Sequence, residues 1–195
     1  MRIFLTGVSC VGKSTIGNRL AKLMDVSFFD LDCEIEAFFG ESIERLQNKF
    51  LTIYSFRLEA SKALIHLLRR PESLNSVIAL TPSGLMAGYL NTIKKANGIV
   101  VAINDRPENI LERIAFFDID STPIQKSLTP EDKRWYLNDI KKNMTYFGKS
   151  YKRAHLRVDI TGLDVNDSAL TIKKSVETYA HQVLISASTD KVSHP

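Results

Sequence analysis

No apolar run in these 195 residues approaches the roughly 18 that a membrane-crossing helix needs, so no membrane partner is expected. Cysteine is almost absent. Cys10 and Cys33 have no metal-type spacing, and both suit a reducing cytoplasm, which is the expected location. Cys33 reads as a small residue packed at a helix start. No charged-then-apolar leader opens the chain, so no secretory signal is expected. Internal repeats, linkers and low-complexity segments are missing too. That leaves one domain over residues 1–185, followed by a tail over 186–195 expected to be disordered. The net charge of +4 is diffuse: Lys94-Lys95, Lys141-Lys142 and Lys173-Lys174 are isolated pairs, and no basic face alternates with aromatics. Nucleic acid is therefore not an expected partner, and the excess charge reads as solvated surface. What remains, 44% hydrophobic and 25% charged, suits a globular domain with a real core.

Within that plain composition, residues 7–14 read Gly-Val-Ser-Cys-Val-Gly-Lys-Ser, directly after the apolar run Ile3-Phe4-Leu5 and before a helix-like stretch. This is the G-x-x-x-x-G-K-[ST] phosphate loop in the strand–loop–helix setting its chemistry requires. Gly7 and Gly12 allow the backbone to curl, so that the amides of Ser9, Cys10, Val11 and Gly12 through Thr15 turn toward phosphate oxygens. The helix beginning near Lys13 adds its positive end to the same anion. Lys13 is placed to reach the β- and γ-phosphates, and the Ser14 hydroxyl to hold Mg²⁺.

Further along, strands alternate with helices. Strands are expected at 2–6, 27–30, 77–80, 99–103 and 156–160, and helices at 13–24, 32–39, 43–50, 52–70, 84–96, 107–117, 131–145 and 166–184. Residues 118–133 lose periodicity and carry Asp118, Asp120, Ser121, Pro123 and Pro130, as a lid or binding loop does. Such alternation means an α/β fold with a parallel sheet covered on both faces. Ligands in these sheets bind beyond the carboxyl ends of the strands, where Gly7, Asp30, Asp32 and Thr81 should converge. Asp30 and Asp32 can divide two tasks there, one orienting water on Mg²⁺ and one accepting a hydroxyl proton; helix capping is the alternative. Arg57 offers a planar fork for a carboxylate or phosphate, with an ion pair to Glu59 or plain solvent exposure as the alternative.

These segments together resemble a known family. GVSCVGKSTIGNRLAKLM, FFDLDCEIEAFFGESI and SFRLEA are similar, in the same order, to three segments of the shikimate kinases. The resemblance is strong over residues 1–60 and intermittent beyond. It implies a three-layer P-loop kinase fold with a mobile lid, and ATP-dependent phosphorylation of a hydroxyl on a small carboxylated acceptor. For that family the acceptor is shikimate, giving shikimate 3-phosphate for aromatic amino acid biosynthesis. It further implies that Lys13 and Ser14 serve ATP and Mg²⁺, with Asp30 near the metal's water shell. Asp32 would bind the substrate hydroxyls and favour proton loss, and Arg57 would clamp the substrate carboxylate. Arg113 matches an arginine that packs on adenine, although a solvent-facing role fits it nearly as well. A monomer is expected.

The departures from the pattern are as specific as the matches. Thr81, Pro82 and Ser83 stand where the family has three glycines whose backbone approaches the substrate, and Pro82 removes one N–H donor. The lid lacks the family's arginine; Thr122-Pro123-Ile124 is the nearest match. A later substrate arginine also lacks a clean counterpart, with Lys149 the nearest candidate. Lys126, Arg134 and Arg153 are the other cations available to supply charge. A kinase of another polyol, sugar acid or nucleotide, or a non-catalytic nucleotide-binding module, are the alternative functions.

Overall fold

A computed structural model of the chain describes residues 1–190, with side chains through Ser186. In order come β1 (Arg2–Thr6), α1 (Lys13–Met24), β2 (Ser27–Asp30), α2 (Leu31–Phe39), α3 (Ile43–Asn48), α4 (Ile53–Arg69), β3 (Ser76–Ala79) and α5 (Ala87–Lys95). There follow β4 (Gly98–Asn104), α6 (Pro107–Glu112), β5 (Phe116–Phe117), β6 (Pro123–Ile124), α7 (Pro130–Tyr151), β7 (Leu156–Asp159) and α8 (Val165–Asp190). Five strands pair in parallel in the order β2-β3-β1-β4-β7, while β5 and β6 form a separate antiparallel ribbon.

β1 is buried because it is central, flanked by β3 and β4. Its apolar run needs no polar alternation, since both sheet faces are covered. Ile3, Leu5, Val77 and Val101 enter one core cluster with Ile16 and Leu20 of α1 and Ile172 and Val176 of α8. Phe4, Ile78 and Val100 enter the other, with Leu31 and Ile35 of α2, Leu64 of α4 and Tyr89 of α5. This is the expected three-layer α/β arrangement. It places the carboxyl ends of β1, β2 and β3 side by side, and those ends carry the phosphate loop, Asp30 and the loop at Thr81.

Local chemistry explains most boundaries. Thr52 caps α4 by accepting from the Ser55 amide at 3.1 Å, and Ser42 caps α3 by accepting from Arg45 at 3.3 Å. Thr129 and Asp132 form a reciprocal capping box that starts α7.

Some boundaries differ from expectation. The helix expected from residue 84 begins at Ala87, because residues 81–86 form successive turns, with Gly84 N–H to Thr81 O and Met86 N–H to Ser83 O, both 2.9 Å. The helix expected to reach Phe117 ends at Glu112; Phe116 and Phe117 instead pair with Ile124 and Pro123. Asp118 makes that ribbon possible by accepting from the amides of Asp120 and Thr122, both at 2.9 Å. α7 continues past residue 145 to Tyr151 despite Gly148, since Phe147 and Tyr151 stack and Tyr151 packs on both cores. Cys33 is exposed rather than packed, because the α2 positions that face the core are Leu31 and Ile35. Helix α8 runs through Asp190, beyond the expected boundary at 185; residues 191–195 of the expected disordered tail lie outside the described residues.

The tightest fit between helix and sheet is at Gly17 of α1. A Cβ there would lie 2.7 Å from Phe28 Cε2 and 3.1 Å from Leu5 Cδ1. Replacing Gly17 with Ala should therefore destabilise the chain by about 1–3 kcal/mol through overpacking, despite alanine's better helix propensity. Thermal melting of the variant against wild type measures this.

Candidate active site

The phosphate loop takes its curl from the backbone of three residues. Gly12 takes φ +108° just before α1, a conformation that favours glycine, and Cys10 takes φ 60°, which costs a non-glycine residue some strain. Gly7 is required by space: a Cβ would lie 2.8 Å from Ile103 O. The Val11 side chain is buried in the core, whereas Ser9, Ser14 and Thr15 are exposed. The Lys13 ammonium donates to Gly7 O at 3.0 Å and Val8 O at 2.9 Å, so its charge rests on the loop's own carbonyls. Burial lowers its pKa, opposed by Asp32 and then Asp30.

Asp30 closes β2 and caps α2, accepting from the Asp32 amide at 3.0 Å. The capping role is thus real, and it fixes the two carboxylates at the mouth of the loop. Asp32 is raised to about 6 by burial; Lys13 opposes this, and Asp30 and Glu36 add to it.

Arg57 is buried on α4 and has no carboxylate partner among the described residues. The alternative partner Glu59 pairs with Lys62 at 2.6 Å instead. Arg57 Nη1 donates to the Tyr146 hydroxyl at 3.2 Å, and its guanidinium lies 5.8 and 5.9 Å from the Tyr146 and Phe147 ring centroids. Its buried Nε has no partner among the described residues. A buried cation left without an anion is costly unless something supplies the charge.

Thr81 and Ser83 are also buried, their hydroxyls 3.3 Å apart. Pro82 O accepts from the Tyr151 hydroxyl at 2.9 Å, which holds the loop against α7.

On the other side of the phosphate loop, Arg113 pairs with the buried Asp105, and its Nη1 lies 4.0 Å from where a Cβ on Gly12 would be. Asp105 also accepts from Asn109 and the Arg106 amide, both at 2.7 Å, and from Thr161 at 3.2 Å. Burial alone would raise its carboxyl, but the hydrogen bonds from Arg113, Asn109 and Arg106 hold it below the usual range. Arg113 is thus anchored near Gly12 of the loop while its side chain stays 38% exposed.

The cations considered for the missing lid arginine are placed differently. Lys126 donates to the Tyr136 hydroxyl at 3.1 Å and packs over Phe116 and Tyr136. Arg134 is exposed on α7. Lys149 and Arg153 line a groove of about 700 Å³ with Met86, Lys141, Lys142 and Tyr146, and Arg153 Nη1 donates to Leu85 O at 3.3 Å. The segment expected as a lid docks on α2 and α3: Ser42 donates to Ile119 O, Arg45 pairs with Asp120, and Ser121 donates to Glu36.

Sequence reasoning missed Asp105 and Tyr146. Asp105 had a signal, as an acid just past the carboxyl end of β4. Tyr146 had none, because only packing brings α7 against Arg57.

Residues 9–177 match the shikimate kinase family. The chain belongs to that family. Its members are ATP-dependent kinases that transfer a phosphoryl group to a shikimate hydroxyl. The shikimate kinase of Aquifex aeolicus is 31% identical over 160 residues, covering 81% of this chain and 86% of that protein. Its crystal structure superposes with a TM-score of 0.68, at 29% identity over 92% of this chain and 98% of that one. Shikimate kinase from Acinetobacter baumannii in complex with shikimate is similar at a TM-score of 0.68 and 26% identity, covering 91% and 93% of the two chains. A stretch of 114 residues, 58% of this chain, is 33% identical to the bifunctional shikimate kinase/3-dehydroquinate synthase of Thermotoga maritima, of whose length the match covers 22%.

Asp32 has a consequence for this shikimate kinase family member's stability. Its folded-state pKa of about 6 lies above the ordinary 3.8. The group therefore weakens folding as pH rises between those values, and the cost is fully present above pH 6. In the ligand-free chain, Asp32→Asn should add ~1–3 kcal/mol of stability at pH 7.5 and less than half as much at pH 4.5. Denaturant titrations at the two pH values check this.

Proposed function

We propose that this chain transfers the γ-phosphoryl group of ATP to a hydroxyl of shikimate, with Lys13, Asp32 and Arg57 dividing the work. One observation carries the reading: the buried Lys13 ammonium of the phosphate loop, resting on the Gly7 and Val8 carbonyls, lies in the field of Asp32 and Asp30 where β2 ends. That supports a site in which the donor's terminal phosphate and the acceptor's hydroxyl meet. When nucleotide enters, its phosphates take over Lys13 from the Gly7 and Val8 carbonyls, and the ammonium then neutralises charge on the transferring group. Lys13 pulls Asp32 toward ionisation even in the free protein, which suits a carboxylate that must accept the proton of the attacking hydroxyl. Arg57 supplies a fixed guanidinium for the acceptor carboxylate, releasing Tyr146 to do so. Arg113, held by Asp105, would pack on the adenine.

The residues fit Mg²⁺ brought in by the nucleotide. No cluster of three acidic, histidine or cysteine ligands occurs among the described residues, and Mg²⁺ in such sites keeps water and phosphate ligands with only one or two protein oxygens. Ser14 and Asp30 would supply those oxygens, and the ion would neutralise charge on the β- and γ-phosphates. The acceptor is taken to be a small molecule with a hydroxyl and a carboxylate, and the protein to act as a soluble monomer; no helix among the described residues is long and apolar enough to cross a membrane.

ADP release coupled to an indicator reaction, run against shikimate, gluconate and nucleoside monophosphates, tests this reading. Turnover is expected with shikimate, and its absence there would overturn the assignment. Lys13→Ala should lower kcat by roughly 10³-fold or more. Arg57→Ala should raise the shikimate KM by about 10–100-fold while the ATP KM stays within about twofold, as expected for loss of a charge-assisted contact to one substrate only.

A further inference from the structure

Folding gathers positive charge that looks scattered along the chain. Lys141 and Lys142, an isolated pair in the sequence, share the groove of about 700 Å³ beside α7 with Lys149 and Arg153. All four are exposed, and none makes an ion pair among the described residues. No acidic residue lines the groove, whose remaining walls include Met86 and Tyr146. Lys141, Thr145 and Lys149 follow one another at single helical turns, and Arg153 comes one turn later, so the stripe is about 18 Å long. The helix dipole favours cations in the last turn, near Lys149, but not Lys141 and Lys142 two turns earlier. Asp32, Arg57 and Thr81 do not line this groove. Its link to the acceptor crevice is Tyr146, whose hydroxyl accepts from Arg57 Nη1 at 3.2 Å.

The length and walls of the groove select among anions. A single small anion reaches one or two of these cations and leaves the rest unmet. An extended peptide rises about 3.3 Å per residue, so acids at alternate positions match cations spaced about 5–6 Å apart on successive helical turns. Met86, the Tyr146 ring and the lysine stems add apolar surface, which suits the side chains between those acids and offers nothing to a bare oligophosphate. Single-stranded nucleic acid calls for a series of rings on which bases stack. Tyr146 is the one aromatic residue lining the groove, and its hydroxyl is already engaged by Arg57.

We propose that the α7 groove docks an extended acidic segment of a partner protein, with alternate carboxylates meeting Lys141, Lys149 and Arg153. The docked segment borders the acceptor site across Tyr146 without entering it. Docking of this kind holds whether or not shikimate is the acceptor.

Fluorescence anisotropy with the full chain tests this, using a labelled hexapeptide of alternating glutamate and leucine as the probe. Saturable binding is expected at about 50 mM salt, weakening roughly five- to tenfold by about 200 mM as the exposed ion pairs are screened. Lys141→Glu and Lys149→Glu should each weaken it by roughly 3–10-fold. Lys94→Glu, on α5 and outside the groove, changes the net charge equally and should leave binding within about twofold of wild type. Lys141→Glu should melt within about 2 °C of wild type, because its side chain is exposed and unpaired among the described residues. No saturable binding, equal weakening by Lys94→Glu, or equally tight binding of the glutamine–leucine peptide would each overturn the proposal. Tighter binding of tripolyphosphate, or of a six-base thymidine oligonucleotide, would overturn it in favour of that ligand.

Discussion

Lys13 is a buried ammonium that donates to two loop carbonyls and feels the carboxylates of Asp32 at the start of α2 and Asp30 at the end of β2. Desolvating a cation there is costly, and the fold tolerates it because β1 lies between β3 and β4 in the middle of the sheet. The helix that follows cannot move away, since Gly17 brings α1 against Phe28 and Leu5. Everything on the nucleotide side depends on this arrangement. The loop's curl is set by the φ of Gly12 and Cys10 and by the close approach of Gly7 to Ile103 O.

Across the crevice the design principle is different. On the nucleotide side Asp105 gathers Arg113, Asn109, Thr161 and the Arg106 amide into one network. On the acceptor side the buried Arg57 has no anion among the described residues and its Nε has no partner there, so a ligand carboxylate would relieve it.

The ribbon β5–β6 and its turn tie the two sides together. Its tip is held by Ser42, Arg45 and Glu36 on α2 and α3, the same stretch of chain that carries Asp32. The contacts of Arg45 with Asp120 are solvent-exposed, with side chains 49% and 57% accessible, so they are weak and salt-sensitive. The lid role proposed for this segment would draw on such weak contacts.

Chemistry that depends on adjacent residues was legible in the sequence. The loop from Gly7 to Ser14, the acids Asp30 and Asp32, and the order of the main strands and helices all follow from local spacing and from backbone geometry that particular side chains allow. The departures at Thr81, Pro82 and Ser83 were equally visible. Boundaries failed where distant packing overrode local preference, as when Phe147 and Tyr151 carry α7 through Gly148, or when Phe116 and Phe117 leave a helix for a ribbon. Partnership was the other thing hidden. Arg57 choosing Tyr146 over Glu59 and Asp105 anchoring Arg113 are each decided by which helix faces lie together. Sequence by itself determined which chemical groups the chain brings and the order in which strands present them, because those follow from bonded neighbours. Only the tertiary structure decided which of those groups find partners and which are left open for a ligand, because burial and pairing belong to residues far apart in the chain.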